Sequence, residues 1–198
     1  MQVTDQMNRT IRLESTPKRI VSLVPSQTEL LFDLGLEKEI VGITKFCIHP
    51  ENWFRSKTRV GGTKNVNFEK IRELNPDLII ANKEENTESE IKQLMKEYPV
   101  WISDIQNLED ALEMIFLIGK MTNTNAKAKS IIYNIQEGFD LLSPLYTKKT
   151  AYFIWQKPMM SINKSRFIHD MMNKCGFENV FASANDDYPE LSKEQLQK

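Results

Sequence analysis

No stretch of this 198-residue chain is apolar for long enough to cross a bilayer, which takes roughly 18–20 consecutive residues. The opening segment, Met1 to Arg9, is polar and lacks the apolar core of a secretion signal. A mature form of an exported protein and a cytoplasmic protein both fit that start. Cysteine is scarce: Cys47 and Cys175 fall in opposite halves, so both read as free, partly buried thiols rather than a disulfide. An excess of one charge is missing too. Twenty-six basic against 27 acidic residues leave a net charge of −1, which gives no electrostatic footprint for nucleic acid. There is no low-complexity tract, and 40% hydrophobic with 27% charged residues argues against disorder.

Catalytic signatures are also absent. The chain carries no G-x-S-x-G, no Walker loop, no G-x-G-x-x-G and no H-E-x-x-H, so it is not read as an enzyme and no intrinsic cofactor is expected. Ser26 follows a strand and opens a helix, which suits an N-cap better than a nucleophile. Cys47 and His49 share one loop while His169 is distant, too few ligands for a closed metal site.

What is present is an α/β pattern that begins to repeat. Arg19–Val24 is a β-branched run closed by Pro25 and reads as a buried parallel strand. Ser26 with Glu29 forms a candidate capping box for a helix ended by Gly35, and Ile40–Thr44 is the next strand. Lys45–Asn67 has turn residues, Gly61–Gly62 at its centre and no helical period, so it reads as a functional loop. Asn67 caps a helix from Phe68 to Leu74, followed by a strand at Leu78–Ala81, a helix at Thr87–Tyr98 and a strand at Val100–Ser103. Asn107 opens a further helix, and Asn123–Thr124–Asn125 separates it from a long one running to about Leu142. Thr150–Trp155 reads as a strand that starts a second half. There the helix Phe167–Cys175, the stop at Gly176 and a strand at Val180–Ala182 echo the first.

The expected fold is therefore α/β: two Rossmann-like lobes joined by one long backbone helix, the second lobe short at its carboxyl end. Residues 1–122 would form the first lobe with an N-terminal hairpin, 123–146 the bridging helix and 147–198 the second lobe. Two such lobes imply a cleft suited to a small ligand. In open parallel sheets ligands bind beyond the carboxyl ends of the strands. The residues that follow the strands are Pro25, Ser26, Lys45, Phe46, Asn82, Lys83, Trp155 and Lys157, with Thr63 and Lys64 on the glycine turn. Four lysines beside Phe46, Trp53 and Trp155 suit a planar or bulky ligand with peripheral negative charge; lysines that simply solvate loop ends are the alternative. Glu69 and Glu194 stand at equivalent first-turn positions of the two half-repeats. They are either dipole-stabilising acids or a pair of docking points for a two-fold partner.

Three blocks carry a family resemblance: Arg19–Glu29; Asn67–Ile71 with Asn75–Ile80; and Cys175–Phe181. In that order they resemble the vitamin B12-binding and iron-siderophore-binding substrate-binding proteins of ABC importers, the receptors with a helical backbone. The resemblance implies a monomer that holds its ligand between the lobes and docks on arginines of a permease dimer through Glu69 and Glu194. It places the protein in the periplasm or cell envelope. It also implies ligand contact by Phe46 or His49 near Lys45 and by Tyr188 on the second lobe. Thr63 and Asn82 stand where the cobalamin-binding members carry tryptophan, which favours an anionic iron chelate over a corrinoid. A cytoplasmic carrier or sensor of a metal cofactor on the same fold is the alternative.

Overall fold

The computed structural model describes residues 1–144 and 146–192. The elements run β1 (Gln2–Thr4), β2 (Thr10–Arg12), β3 (Ile20–Ser22), α1 (Pro25–Asp33), β4 (Ile40–Ile43), α2 (Glu51–Ser56), β5 (Thr58–Arg59), α3 (Phe68–Leu74), β6 (Leu78–Asn82), α4 (Glu88–Leu94), β7 (Val100–Ser103), α5 (Leu108–Met121), α6 (Asn125–Asp140), β8 (Lys148–Thr150), β9 (Trp155–Gln156), β10 (Met159–Met160), α7 (Phe167–Lys174) and β11 (Phe177–Asn179). Two compact units result. One takes Met1–Asp104 with Met114–Ile131, the other Ile105–Glu113 with the chain from Ile132 onward.

The first unit is built on a five-stranded parallel sheet in the order β5-β4-β3-β6-β7. Its central strands are apolar at nearly every position because both faces are covered. Val21, Ile79 and Val100 stand in one row of the register, and Ser22, Ile80 and Trp101 in the next. Alternate residues point to opposite faces. The first row packs with Ile71 of α3 and with Ile91 and Leu94 of α4 in one buried cluster. On the other face Ser22 meets α1, where Thr28 donates to the Ser22 hydroxyl at 2.8 Å. The outer edge of β7 is covered by the β1–β2 hairpin. Gln6 N–H donates to Ile102 O, Arg9 reaches Val100 O at 3.0 Å, and the buried Asp5 carboxylate accepts from the amides of Met7, Arg9 and Ile102. An edge strand left open invites pairing with another chain, and the hairpin removes that template.

Several local expectations are corrected. Val24, not Ser26, is the N-cap of α1; Pro25 takes the first helical position and Ser26 lies inside the first turn with no capping bond. Proline at that position costs no hydrogen bond because its missing N–H would have no partner there. The span 45–67 is not all loop: α2 and β5 form within it, and Trp53 is fully buried against Phe32 with ring centroids 5.3 Å apart. Burial of one large ring stabilises a six-residue helix that shows no sequence period. Asn67 does cap α3, its side chain accepting from Lys70 N–H, and Asn75 ends α3 in the left-handed conformation.

In the second unit β8 and β11 pair in parallel with α7 between them, as β3 and β4 pair across α1. The half-repeat is therefore a repeated βαβ crossover. Gly35 and Gly176 close the two helices at the same φ of +80°, a conformation that a side chain would strain. Two expectations shift here. The strand expected at 180–182 forms directly after the glycine, at Phe177–Asn179. The strand expected at 150–155 divides into β8 and the β9–β10 hairpin. Ser161 O–H donates to Tyr152 O across the intervening loop. Helix α6 is continuous over 16 residues, with its first turns in the first unit and Ile132 onward in the second.

Candidate functional site

The carboxyl edge of the first unit's sheet gathers the segments after β3, β4 and β6 with the glycine turn. Lys45 N–H donates to Gly61 O at 2.8 Å, and Gly62 N–H to Asn65 O at 2.7 Å, which closes the turn beside the loop after β4. In that loop the side chains alternate in direction. Phe46 and Ile48 are 53% and 54% exposed, while Cys47 between them is fully buried. The Cys47 sulfur lies 3.1 Å from Thr28 Oγ1 and 3.2 Å from Thr44 Oγ1, so polar partners hold it inward and its apolar neighbours face solvent. The Lys45 ammonium sits 5.1 Å from the Phe46 ring centroid. Two exposed apolar side chains and a cation on a pinned loop form a small, rigid contact surface.

The other expected rim residues serve the frame as much as the surface. Asn82 Oδ1 accepts from Glu84 and Glu85 N–H, and its amide donates to Ser103 Oγ at 2.9 Å. Buried Gln27 also donates to that hydroxyl. Thr63 is buried, and its carbonyl accepts from Asn86 at 2.9 Å. Lys64 is exposed and donates to Glu84 O at 2.5 Å. Lys83 is held by Asp104 at 2.6 Å, so its charge is largely cancelled. Pro25 is half-buried, whereas Ser26 and His49 are exposed. Trp53, expected among the aromatics of the rim, belongs to the core.

The residue that sequence reasoning missed is Asn86. Its amide also donates to Leu23 O, and its carbonyl oxygen accepts from Asn82 N–H, so one buried side chain ties the ends of β3 and β6 to the glycine turn. The only local signal is the Asn82/Asn86 pair flanking a charged turn. Beyond it, Met7, Ile91, Met95 and Ile102 line a groove of about 360 Å³ with Lys83, Lys92 and Glu88 at its margin. A hydrogen bond from Lys92, then its charge, lowers the Glu88 carboxyl from its ordinary value.

In the second unit Trp155 is 63% exposed, its indole N–H donating to Lys157 O at 2.9 Å. Tyr188 lies under the Arg166 guanidinium, 5.4 Å from the ring centroid. A larger concavity, about 640 Å³ between α5, α6 and Lys174, contains none of the expected site residues. Glu69 is exposed in the first turn of α3. Glu194 lies outside the described residues. Among the described residues no group of three or more His, Cys, Asp or Glu side chains could hold a metal, and no helix is long and apolar enough to cross a membrane.

Residues 20–198 match the family described as periplasmic binding protein. The chain belongs to that family. It is 28% identical over 185 residues to the vitamin B12-binding protein of Vibrio parahaemolyticus, covering 90% of this chain and 66% of the relative. It is 30% identical over 192 residues to an uncharacterised ABC transporter substrate-binding lipoprotein of Bacillus subtilis, covering 91% and 60%. The chain thus spans less than two thirds of the length of these curated relatives. A siderophore-binding protein, solved with ferric iron and two acinetobactin molecules, superposes with a TM-score of 0.81 at 19% identity, over all of this chain and 72% of its own. That likeness establishes a shared fold. Its homologues are periplasmic binding proteins, which are transport components rather than enzymes.

Proposed function

We propose that this periplasmic binding protein captures a metal-bearing cofactor or chelate, a ferric chelate or a corrinoid, and delivers it to the permease of an ABC importer. The observation that carries this reading is the loop after β4. Phe46 and Ile48 stand exposed beside a lysine at the carboxyl edge of a parallel sheet, on a backbone pinned by a buried thiol. A pre-formed apolar surface costs little ordering entropy when a flat ligand lands on it, and a nearby ammonium adds attraction for peripheral acid groups. With tryptophan absent at Thr63 and Asn82, an anionic planar or chelated ligand fits better than neutral cobalamin. The names of the relatives support the ligand class, and the exposed Glu69 is offered as one of two docking acids, with Glu194 as the other.

The test is direct. The purified protein is examined by visible absorbance and mass spectrometry, then titrated with cyanocobalamin, hemin and a ferric hydroxamate. Micromolar or tighter binding of at least one supports the reading. Failure of all three to bind sinks it.

A further inference from the structure

Gly62 packs against the exposed loop at a point where an added side chain would press on its neighbours. A Cβ there would lie in ordinary contact with Lys45 Cε at 3.4 Å but only 3.2 Å from Phe46 Cε2, so the Phe46 ring would have to give by a few tenths of an ångström. Its backbone φ is not in the left-handed region, so the glycine is not demanded by its own conformation. The neighbouring Gly61, at φ +105°, already supplies the bend that the turn requires. What remains to explain Gly62 is the space it leaves to the Lys45 stem and the Phe46 ring. On the opposite side of the loop, Cys47 is fixed by two hydroxyls, Thr28 Oγ1 and Thr44 Oγ1, and Thr28 is itself bonded to Ser22 Oγ and Val24 O. The loop is thus held from below by a buried thiol and cradled from the side by a bare backbone.

We infer that Gly62 and Cys47 are positioning residues that hold Phe46 and Lys45 as one preassembled unit. Phe46 offers an aromatic face and Lys45 a cation to a single flat, acid-bearing ligand. This rests on the proposed function for the ligand class, but not for the pinning itself. Ile48 extends the apolar surface past the ring. The specificity follows from the pairing: a ligand gains fully only if it presents a flat apolar face and a carboxylate or other anionic group within one side chain's reach of each other. Hemin satisfies both conditions; cyanocobalamin does not, because axial ligands cover both faces of its corrin and the ring carries amides where hemin carries propionates.

The experiment is a double-mutant cycle with a ligand-free readout beside it. Gly62→Ala and Phe46→Ala are made singly and together, and hemin affinity is measured for all four proteins. Gly62→Ala is expected to weaken hemin binding about fivefold, the size of one aromatic contact, and to have no further effect once Phe46 is gone. Equal losses with and without Phe46 would overturn the proposal. Independently, fluorophenylalanine is incorporated and the Phe46 resonance assigned by its absence in Phe46→Leu. In ligand-free protein that ¹⁹F signal should move or broaden in Gly62→Ala and in Cys47→Ala, and return in Cys47→Ser, which keeps a polar partner for the two threonines. An unmoved signal in Gly62→Ala also overturns it. If hemin, cyanocobalamin and the ferric hydroxamate all fail to bind the unaltered protein, the ligand class falls while the ¹⁹F shifts still decide the pinning.

Discussion

The Asn86 side-chain amide donates to the Thr63 carbonyl oxygen at 2.9 Å, joining the turn after β6 to the glycine turn across 23 positions of sequence. The same side chain serves Leu23 O and Asn82 N–H. It therefore holds three rim segments in one arrangement. Buried backbone groups without partners are costly, so this single residue relieves a penalty that no apolar substitute could.

Asn86→Ala should destabilise the protein by about 1–3 kcal/mol, the range for orphaning buried polar groups. Urea denaturation should show a lower midpoint with an unchanged slope, and hydrogen exchange should speed up in the 61–65 turn more than in the strands. A midpoint equal to the parent's would show that water replaces the amide without loss.

Gly119 of α5 lies against Ala128 of α6, where a Cβ would fall 2.4 Å from the Ala128 Cβ. Gly119→Ala adds helix propensity worth up to about 1 kcal/mol. Overpacking at that distance costs more, about 1–3 kcal/mol. Net destabilisation is expected in thermal melts, and Ala128→Gly in the same chain should restore most of it. Stabilisation by Gly119→Ala would mean that the helices separate freely.

Lys45 and Lys83 should behave differently although both follow strands. Lys83 is neutralised by Asp104, whereas Lys45 faces the Phe46 ring. Lys45→Ala should weaken hemin binding about two- to fivefold, as for a partly exposed ion pair, and flatten its salt dependence. Replacing Lys83 and Asp104 together by Ala should leave both nearly unchanged, since the pair carries no net charge. Calorimetric titrations at two ionic strengths decide it, and equal effects would return the site to an undifferentiated basic rim.

Glu69→Lys should abolish association with a permease reconstituted in detergent or vesicles while ligand affinity stays level. Stability should fall by no more than about 1–2 kcal/mol, since the reversal opposes the α3 dipole at an exposed position. Uptake that survives the reversal would leave Glu69 as an acid favoured only by the α3 dipole.

Much of the fold was legible residue by residue. The β-branched run at Arg19–Val24, the Asn67 cap, the Asn123–Asn125 break and the Val100–Ser103 strand all stand close to where local chemistry put them. The doubling of the βαβ unit was legible as well, because Gly35 and Gly176 punctuate the two helices in the same way. Element ends were less so. Thr87–Tyr98 shortens to Glu88–Leu94, where a tighter turn through Glu97 N–H to Leu94 O replaces the helix. The second unit's strands move by a few residues, because pairing between β8 and β11, remote in sequence, sets their limits.

The site divides along the same line. Composition and strand order determined that the rim after β3, β4 and β6 would carry polar residues, an aromatic and lysines, since those residue types follow the strands directly. Side-chain direction in the 44–50 loop has no period to read. Only tertiary structure decided that Phe46 and Ile48 face out while Cys47 turns in, that Trp53 joins the core, and that Asn82 and Lys83 are occupied by Ser103 and Asp104. Each of those outcomes depends on a partner remote in sequence: Thr28 for Cys47, Phe32 for Trp53, Ser103 for Asn82. Local propensity carries no information about such partners; close packing and the cost of unpaired buried polar groups do.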